Sequence, residues 1–280
     1  MISIVICSRN ETLFNKLKES IKNTIGRIEH EIIRIDNLML NESITKIYNK
    51  GIAMAKYECL LFVHEDVVFH TYNWGSILTS IFNQNPNVGL IGIAGTKYKS
   101  KYPSAFWHTD QKMLHFNLIQ HYNKKSPKHF KIGFKNSNLV KVVAIDGVFL
   151  ALRKSTNVTF NEEIKGFHCY DLGISIDILE NNYDVVVTDQ LLIEHFSIGN
   201  TNLDFVKGVI MFHELYKNKL PKFINSKKTS LETVALKRFL EICLENRYIP
   251  YKLWFFYLSR KPFTRLNYNL LKLLIYKIRT

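Results

Sequence analysis

Short apolar runs alternate with segments of helical periodicity along the first part of the chain. The apolar runs have strand length and occupy residues 2–7, 31–36, 59–63 and 87–93. Between them, Ser8 and Glu11 have capping-box spacing, and helical spacing of apolar residues predicts helices over 11–25, 41–56 and 74–82. Strands that are apolar on both faces and alternate with helices predict an α/β fold with a mostly parallel sheet flanked by helices.

The pattern changes twice further along. Residues 96–138 are rich in lysine, histidine and aromatic residues, and we expect a long irregular insertion there. Strands are predicted again over 139–152, 185–188 and 191–196, with a helix from about 171 to 182. After residue 225 the sequence becomes helical, basic and aromatic. We therefore predict a catalytic domain over residues 1–225 and a helical C-terminal extension over 226–280.

Composition and charge narrow the class of protein. The net charge is +14 with a pI near 9.5, and ten basic residues from Lys237 onwards face only Glu241 and Glu245. This excess implies an anionic partner. The four cysteines show no C-x-x-C pair, which argues against a zinc ribbon or a disulfide framework. No apolar run approaches the roughly 20 residues of a membrane span, and no signal peptide is predicted, so we expect a cytoplasmic protein.

Candidate chemistry begins where the third apolar run ends. Residues 60–63 are apolar, and His64, Glu65 and Asp66 follow at once. Ligands of open α/β sheets bind at the carboxyl ends of strands. Asp66 is a hard oxygen ligand suited to Mg²⁺ or Mn²⁺, and His195, which also follows a strand, offers a second ligand that suits Mn²⁺ better.

The order of these segments resembles family 2-like glycosyltransferases of the GT-A fold. The matching features are a first strand ending in a polar turn at residues 8–10, a second ending at Asp36, an Asn-x-Gly helix at residues 49–51, and a strand leading to His64-x-Asp66. The resemblance covers roughly the first 200 residues. It extends to the branch of bacterial capsule and surface-polysaccharide transferases that carry H-x-D in place of D-x-D.

The resemblance implies a nucleotide-sugar donor, with UDP-sugars favoured. Asp66 and His195 would hold Mn²⁺ or Mg²⁺ at the donor diphosphate, and Asp36 would contact the base or ribose. The other implied donor-binding residues are Ser8, Arg9, Asn10, Asn49, Lys50, His64 and Glu65. Departures from the family pattern are Asp36-Asn37 in place of an Asp-Asp pair and Tyr170 in place of Glu before Asp171.

Transfer with inversion needs a general base near the acceptor hydroxyl. The resemblance gives this role to Asp171. Asp146 is a competing candidate, because Gly147 would leave room beside it for a sugar. Trp107 and Tyr102, with Phe106, are candidates for stacking on an acceptor sugar. The expected acceptor is a glycan, free or lipid-linked, in the biosynthesis of a surface polysaccharide.

The basic aromatic tail is expected to dock on an anionic membrane surface, which would make the protein peripheral on the inner face of the cell membrane. Other classes stay open. A nucleotidyltransferase would need a glycine-rich phosphate loop, which residues 7–10 lack. A catalytically degenerate GT-A protein and a non-enzymatic binder of polyanions or nucleic acid are the remaining alternatives. We do not expect a nucleic-acid partner, because the charge gathers in the tail rather than in a recognisable module.

Overall fold

The computed structural model describes residues 1–122, 125–135, 137–225 and 229–279. Its strands are β1 Ile2–Ser8, β2 His30–Asp36, β3 Cys59–Val63, β4 Val67–Phe69, β5 Val88–Gly92, β6 Ala94–Thr96, β7 Tyr98–Lys99, β8 Leu114–Tyr122, β9 Lys125–Ile132, β10 Leu139–Val142, β11 Ala144–Ile145, β12 Phe149–Arg153, β13 Asp184–Thr188, β14 Ile193–His195 and β15 Lys222–Phe223. Its helices are α1 Glu11–Thr24, α2 Ile44–Met54, α3 Trp74–Gln84, α4 Tyr170–Glu180, α5 Leu203–Tyr216, α6 Thr229–Glu245, α7 Tyr251–Arg260 and α8 Arg265–Arg279.

A seven-stranded sheet forms the centre of the α/β fold, which confirms the predicted class. Its order is β10-β13-β5-β12-β3-β1-β2. The sheet is mixed: β1 pairs parallel with β2 and β3, and β13 with β5, whereas β12 runs antiparallel between β3 and β5 and β10 pairs antiparallel with β13. The mixed order places the carboxyl end of β3 opposite the start of β12, so Val63 pairs with Phe149.

Helices cover both faces of this sheet, and β3 shows why its sequence is continuously apolar. Leu61 and Val63 join the core beneath α1 and α3, whereas Leu60 and Phe62 join the core beneath α2 and α4. All five residues of β3 are buried. A strand that packs on both faces cannot alternate apolar with polar residues.

A second sheet replaces the irregular insertion expected over residues 96–138. Its order is β11-β6-β8-β14-β4, and β9 pairs with β8 as a hairpin. The prediction of irregular structure holds for residues 100–110 but was wrong for residues 114–122 and 125–132. Apolar residues alternate along β8 at Leu114, Phe116 and Leu118, which is a strand pattern that the many lysines and histidines obscured.

Two local predictions also need correction. The expected strand over residues 139–152 is divided into β10, β11 and β12, with a turn at Gly147 and Val148. The cap of α1 is Asn10 rather than Ser8, since the Asn10 side chain accepts a hydrogen bond from the Leu13 N–H at 3.1 Å. Ser8 instead ends β1 as a fully buried residue.

The C-terminal helices pack onto the rest of the molecule. Phe239 and Cys243 of α6 lie in one apolar cluster with α5, and α7 and α8 pack on α6 through Trp254 and Leu270. The predicted boundary between residues 225 and 226 adjoins residues 226–228, which lie outside the described residues. Within the described ranges, none of the helices is long and apolar enough to cross a bilayer.

Candidate active site

Three side chains converge where β3 and β14 end. Asp66 lies in the turn after β3, and β14 pairs antiparallel with β4 so that His195 stands opposite Val67. One ligand atom each from His64, Asp66 and His195 lies within 4.8 Å of the others. The His195 Nε2 and the Asp66 Oδ1 are 3.5 Å apart. The two predicted metal ligands therefore meet, and His64 joins them.

Hydrogen bonds determine which nitrogen of His195 faces this cluster. The Gln120 Oε1 lies 3.1 Å from the His195 Nδ1, and the Gln120 Nε2 donates to the carbonyl of Ser197. The Gln120 Oε1 can only accept, so the His195 Nδ1 carries the proton. The His195 Nε2 consequently faces Asp66 and the Ser197 hydroxyl, 3.0 Å away, and it offers a lone pair to a cation only in the neutral imidazole.

Tyr170 orients His64 in the same way. The Tyr170 hydroxyl donates to the carbonyl of Gly147 at 3.1 Å and lies 2.7 Å from the His64 Nε2. Because the single hydroxyl proton goes to Gly147, the His64 Nε2–H donates to Tyr170 and the His64 Nδ1 keeps its lone pair. Burial and the neighbouring His195 lower the pKa of His64, which favours the neutral imidazole that a metal requires.

Asp66 is ionised in this setting. Burial opposes its ionisation, but the hydrogen bond and charge of His195, the nearby His64 and Ser197 together lower the pKa of Asp66 to about 2. Two imidazole nitrogens and a carboxylate oxygen form a mixed donor set that suits Mn²⁺ better than Mg²⁺. Among the described residues, no other group of three His, Cys, Asp or Glu side chains is close enough to hold an ion.

A cavity of about 250 Å³ adjoins the cluster. We call it the catalytic cavity; the predicted site residues in its lining are His64, Trp107, Asp146, Asp171 and His195. The cavity therefore brings the two candidate bases, Asp146 and Asp171, next to His64 and His195. The interior is partly enclosed, since residues of α4, the loop after β14 and the loop before β8 all contribute to the lining.

The two carboxylates are held by backbone N–H groups. Asp171 lies in the first turn of α4, which is capped by Cys169 at a φ of 64°. Its Oδ2 accepts from the Gly147 N–H at 3.0 Å and its Oδ1 from the Leu172 N–H at 2.8 Å. Asp146 accepts from the Val148 N–H through Oδ1 at 2.8 Å. Each carboxylate keeps lone pairs for a further donor.

Burial is the main cause of a raised pKa at Asp171, and the nearby charge of Asp146 adds to it. Together they raise the pKa of Asp171 to about 7, in spite of the two backbone N–H bonds that favour the carboxylate. A carboxyl group with this pKa exchanges protons near neutral pH, as a general base must.

Gly147 does not leave room for a sugar, contrary to the expectation. A Cβ at this position would lie 2.2 Å from the Tyr170 hydroxyl oxygen, so the tyrosine ring fills the space beside the glycine. The glycine is needed because the ring that orients His64 approaches the backbone closely.

The turn after β1 lies close to this region. Arg9 and Asn10 donate backbone N–H bonds to the Glu65 carboxylate at 3.1–3.2 Å. The Arg9 guanidinium lies 5.6 Å from the ring centre of Phe167, a residue of the cavity lining. Glu65 thus fixes the backbone of the turn after β1, and the Arg9 side chain lies against Phe167 at the boundary of the cavity.

Asp36 is paired with Ser8 where the two parallel strands β1 and β2 end. Its carboxylate is exposed and accepts from the Leu38 N–H at 2.9 Å. The buried Ser8 hydroxyl has no hydrogen-bond partner in the structure. Both residues lie at the carboxyl edge of the sheet, where the prediction of a donor site put them.

Three other predicted residues are engaged elsewhere. The Asn49 amide bonds to the backbone of Phe160 and to Glu162, and Lys50 forms an ion pair with Glu42. Tyr102 packs against Phe256 at 4.8 Å between ring centres, away from the catalytic cavity lining. Their predicted roles in binding stay predictions without support from the geometry.

Trp107 lines the catalytic cavity, and contacts with Phe205 and Arg238 fix its position. Its ring is stacked on Phe205 of α5 with centres 5.8 Å apart, and it is 37% exposed. Arg238 of α6 donates to the backbone carbonyls of Trp107 and Thr109 at 2.9 and 2.7 Å. Two helices therefore fix the loop that carries this ring.

Sequence reasoning missed the residues that orient the cluster. Gln120 and Ser197 both hydrogen-bond His195, and Tyr170 was noted only as a departure from the family pattern. Ser197, two residues after His195, is close enough in sequence to have been considered. Gln120 gave no local signal, because the parallel pairing of β8 with β14 brings it there.

A family model described as a glycosyltransferase-like family matches residues 3–203. No curated protein sequence matches the chain. The structure is similar to that of GalNAc-T7 with UDP, GalNAc and Mn²⁺, at a TM-score of 0.52 and 10% identity, covering 93% of this chain but only 57% of that one.

It is also similar to S. aureus TarS 1–349 in complex with UDP-GlcNAc. The TM-score is 0.51 at 9% identity, covering 87% of this chain and 72% of the TarS chain. Likeness at such low identity concerns the fold alone, and it confirms the predicted GT-A fold.

Proposed function

Because the chain belongs to the glycosyltransferase-like family, whose model it matches over residues 3–203, we propose that it transfers a sugar from a nucleotide-diphosphate donor to a hydroxyl group. The observation that carries this proposal is the convergence of His64, Asp66 and His195 beside a cavity that also contains Asp171. Two solved structures to which it is similar contain UDP or UDP-GlcNAc, which supports a UDP-sugar donor.

The donor diphosphate lies at the three-residue cluster in this proposal. A bound Mn²⁺ supplies Lewis-acid stabilisation of the departing diphosphate. The lowered pKa of His64 favours its neutral imidazole, His195 faces the cluster through Nε2, and Asp66 presents a carboxylate that stays ionised at neutral pH. The Arg9 guanidinium at the cavity mouth adds positive charge near the phosphates, and Asp36 is available to the ribose or base.

Asp171 is the general base of the proposed reaction. It accepts the proton of the acceptor hydroxyl as the oxygen attacks the anomeric carbon from the face opposite the leaving diphosphate, which inverts the configuration. Two backbone N–H bonds orient the carboxylate, and its pKa near 7 matches the task. The Asp146 charge supports the base by holding that pKa up.

The acceptor enters over Trp107 in this proposal. The ring is exposed at the edge of the catalytic cavity, and the apolar face of a pyranose can pack on it. A hydroxyl of a surface glycan is the acceptor that agrees with the family branch identified from the sequence.

The C-terminal helices dock on an anionic bilayer surface in this proposal. From residue 246 to the end there is no acidic residue. Exposed aromatic and aliphatic side chains lie among the basic residues; Phe263 is 99% exposed and Phe255 is 79% exposed. Basic residues near anionic lipid contribute about 1 kcal/mol each, and the apolar groups enter the interface.

Thermal unfolding of the whole chain with nucleoside diphosphates and nucleotide-sugars, with and without Mn²⁺, tests the proposal. A ligand at about 100 times its Kd stabilises by ~2.7 kcal/mol, so we expect a Mn²⁺-dependent rise in Tm with one nucleotide. Asp66→Ala should abolish the rise. The matched control is Glu19→Ala, an exposed acid on α1, which should keep it. A nucleotide shift that survives Asp66→Ala, or no shift with any nucleotide, contradicts the proposal.

A further inference from the structure

A second cavity continues from the catalytic cavity. It has a volume of about 540 Å³ and shares Trp107, Asp146 and His195 with the catalytic cavity. We call it the aromatic groove. Its floor is the β8–β9 hairpin, where Phe116 faces Ile132 and Leu118 faces Phe130 across the strands. The groove thus presents a largely apolar surface that begins at the candidate catalytic residues.

A third cavity extends the path. It measures about 790 Å³ and shares Gln111, Leu114 and Ile132 with the aromatic groove. We call it the lysine cavity, because four lysines line it and no acidic residue does: Lys97, Lys112, Lys135 and Lys141. Only Lys141 has an ion pair, with Asp184 at 2.7 Å; the other three have no carboxylate partner among the described residues.

From this arrangement, and resting on the proposed function, we infer that the acceptor is an anionic glycan chain several sugars long. Its reacting end lies between Trp107 and Asp146, its next rings lie on the aromatic groove, and its carboxylates or phosphates meet the lysine cavity. A small neutral acceptor would use only the first of the three cavities.

The charge distribution favours this occupant. The groove nearest the catalytic centre offers rings such as Phe116 and Phe130, on which sugar faces pack without needing charge. The unpaired lysines begin only beyond it, where a bound chain would carry its third and later sugar residues. Three unpaired ammonium groups without any acid attract an anionic chain, and the attraction weakens as salt is added.

Binding measured by calorimetry without donor tests the acceptor class separately from the transfer reaction. The probes are maltohexaose, phosphorylated maltohexaose and the hexamer of galacturonic acid, each at low and high salt. We expect one or both anionic probes to bind at least roughly tenfold more tightly than maltohexaose at low salt. The affinities for phosphorylated maltohexaose and for the galacturonic acid hexamer distinguish recognition of phosphate from recognition of carboxylate.

The test variant replaces Lys97, Lys112 and Lys135 by Gln. Its control replaces Lys16, Lys18 and Lys22, three exposed lysines of α1, by Gln, so that the net charge changes equally. The test variant should lose roughly tenfold in affinity for the anionic probe and keep the affinity for maltohexaose. The control variant should bind as the native chain does.

Equal binding of neutral and anionic probes, or equal losses in the two triple variants, overturns the inference. Hydrolysis of the nucleotide-sugar by the native chain reports on the donor site alone. If hydrolysis proceeds and no anionic glycan binds, the acceptor class is wrong and the proposed function stands. If anionic glycans bind and no nucleotide does, the proposed function fails instead.

Discussion

At the residue scale, the site depends on pairs of side chains that set one another's protonation. Tyr170 fixes the proton of His64, and Gln120 fixes that of His195. Asp146 and Asp171 form the other such pair. Their mutual repulsion, added to burial, holds the pKa of Asp171 near 7. Neutral nitrogens and a base poised near neutrality thus arise from local contacts.

The carboxylate pair gives a prediction for pH dependence. Asp171→Asn should lower kcat/KM by about 10²–10⁴, because the proposed general base is lost. Asp146→Asn should lower kcat/KM by a smaller factor. It should also move the acidic limb of the pH–rate profile to lower pH, since one source of the raised pKa of Asp171 is removed. Initial rates between pH 5 and 9 test both. The roles are reversed if Asp146→Asn is the inactive variant.

Stability offers an independent check on the same group. The folded pKa of Asp171, about 7, lies above the ordinary aspartate value of 3.8, so the folded protein binds the proton more tightly than the unfolded chain does. Its contribution to stability is present below about pH 3.8 and is lost as pH rises through 7. The free energy of unfolding of Asp171→Asn relative to the native chain should therefore increase from pH 4 to 7 and stay level above. A difference in the free energy of unfolding between the two proteins that does not change with pH would contradict the raised pKa of Asp171.

At the scale of elements, the site is assembled from pieces distant in sequence. β3 delivers His64 and Asp66, β14 delivers His195, and α4 delivers Asp171. The loop with Trp107 is held by α5 and by Arg238 of α6. The C-terminal part of the chain thus contributes to the shape of the catalytic cavity on the side of Trp107.

Arg238 provides the prediction at this scale. Arg238→Gln removes the guanidinium bonds to the carbonyls of Trp107 and Thr109, so the loop should loosen. We expect KM for the acceptor to rise roughly three- to tenfold. Hydrogen bonds from a charged donor contribute about 1.5–3 kcal/mol, and the loop can regain part of this free energy through other hydrogen bonds. Donor binding should not change. Lys237→Gln, an exposed neighbour on α6, is the control, and equal effects of the two variants would refute the positioning role.

At the scale of the whole molecule, charge and apolar exposure are unevenly distributed. A GT-A core with two large sheets carries three C-terminal helices, of which α7 and α8 hold exposed aromatic residues and no acids. A buried network joins α6 to the core, because Glu232 accepts from the Tyr98 hydroxyl at 2.6 Å and from Ser100. A membrane bound through α7 and α8 would therefore hold the catalytic core close to its surface.

Sedimentation with vesicles tests that orientation. The native chain should bind vesicles containing about a third anionic lipid and not neutral vesicles, because the basic residues need negative headgroups. Phe255→Ser with Phe263→Ser should weaken binding about tenfold or more, since two apolar side chains leave the interface. Tyr72→Ser, which alters a ring 74% exposed on the core, is the control. Binding to neutral vesicles as strong as to anionic ones would exclude this surface as an electrostatic anchor.

The sequence by itself determined the elements whose periodicity is local. The apolar run of β3 followed by His64 and Asp66 predicted both a buried strand and a cation site at its end, because a strand buried on both faces has a recognisable pattern. The alternation of strands and helices predicted the α/β class. Tertiary structure alone decided the antiparallel place of β12, the hairpin within residues 96–138, and the contacts of His64 with Tyr170 and of Trp107 with Arg238. These depend on pairings between segments far apart in the chain, and such pairings leave no periodic signal in either segment.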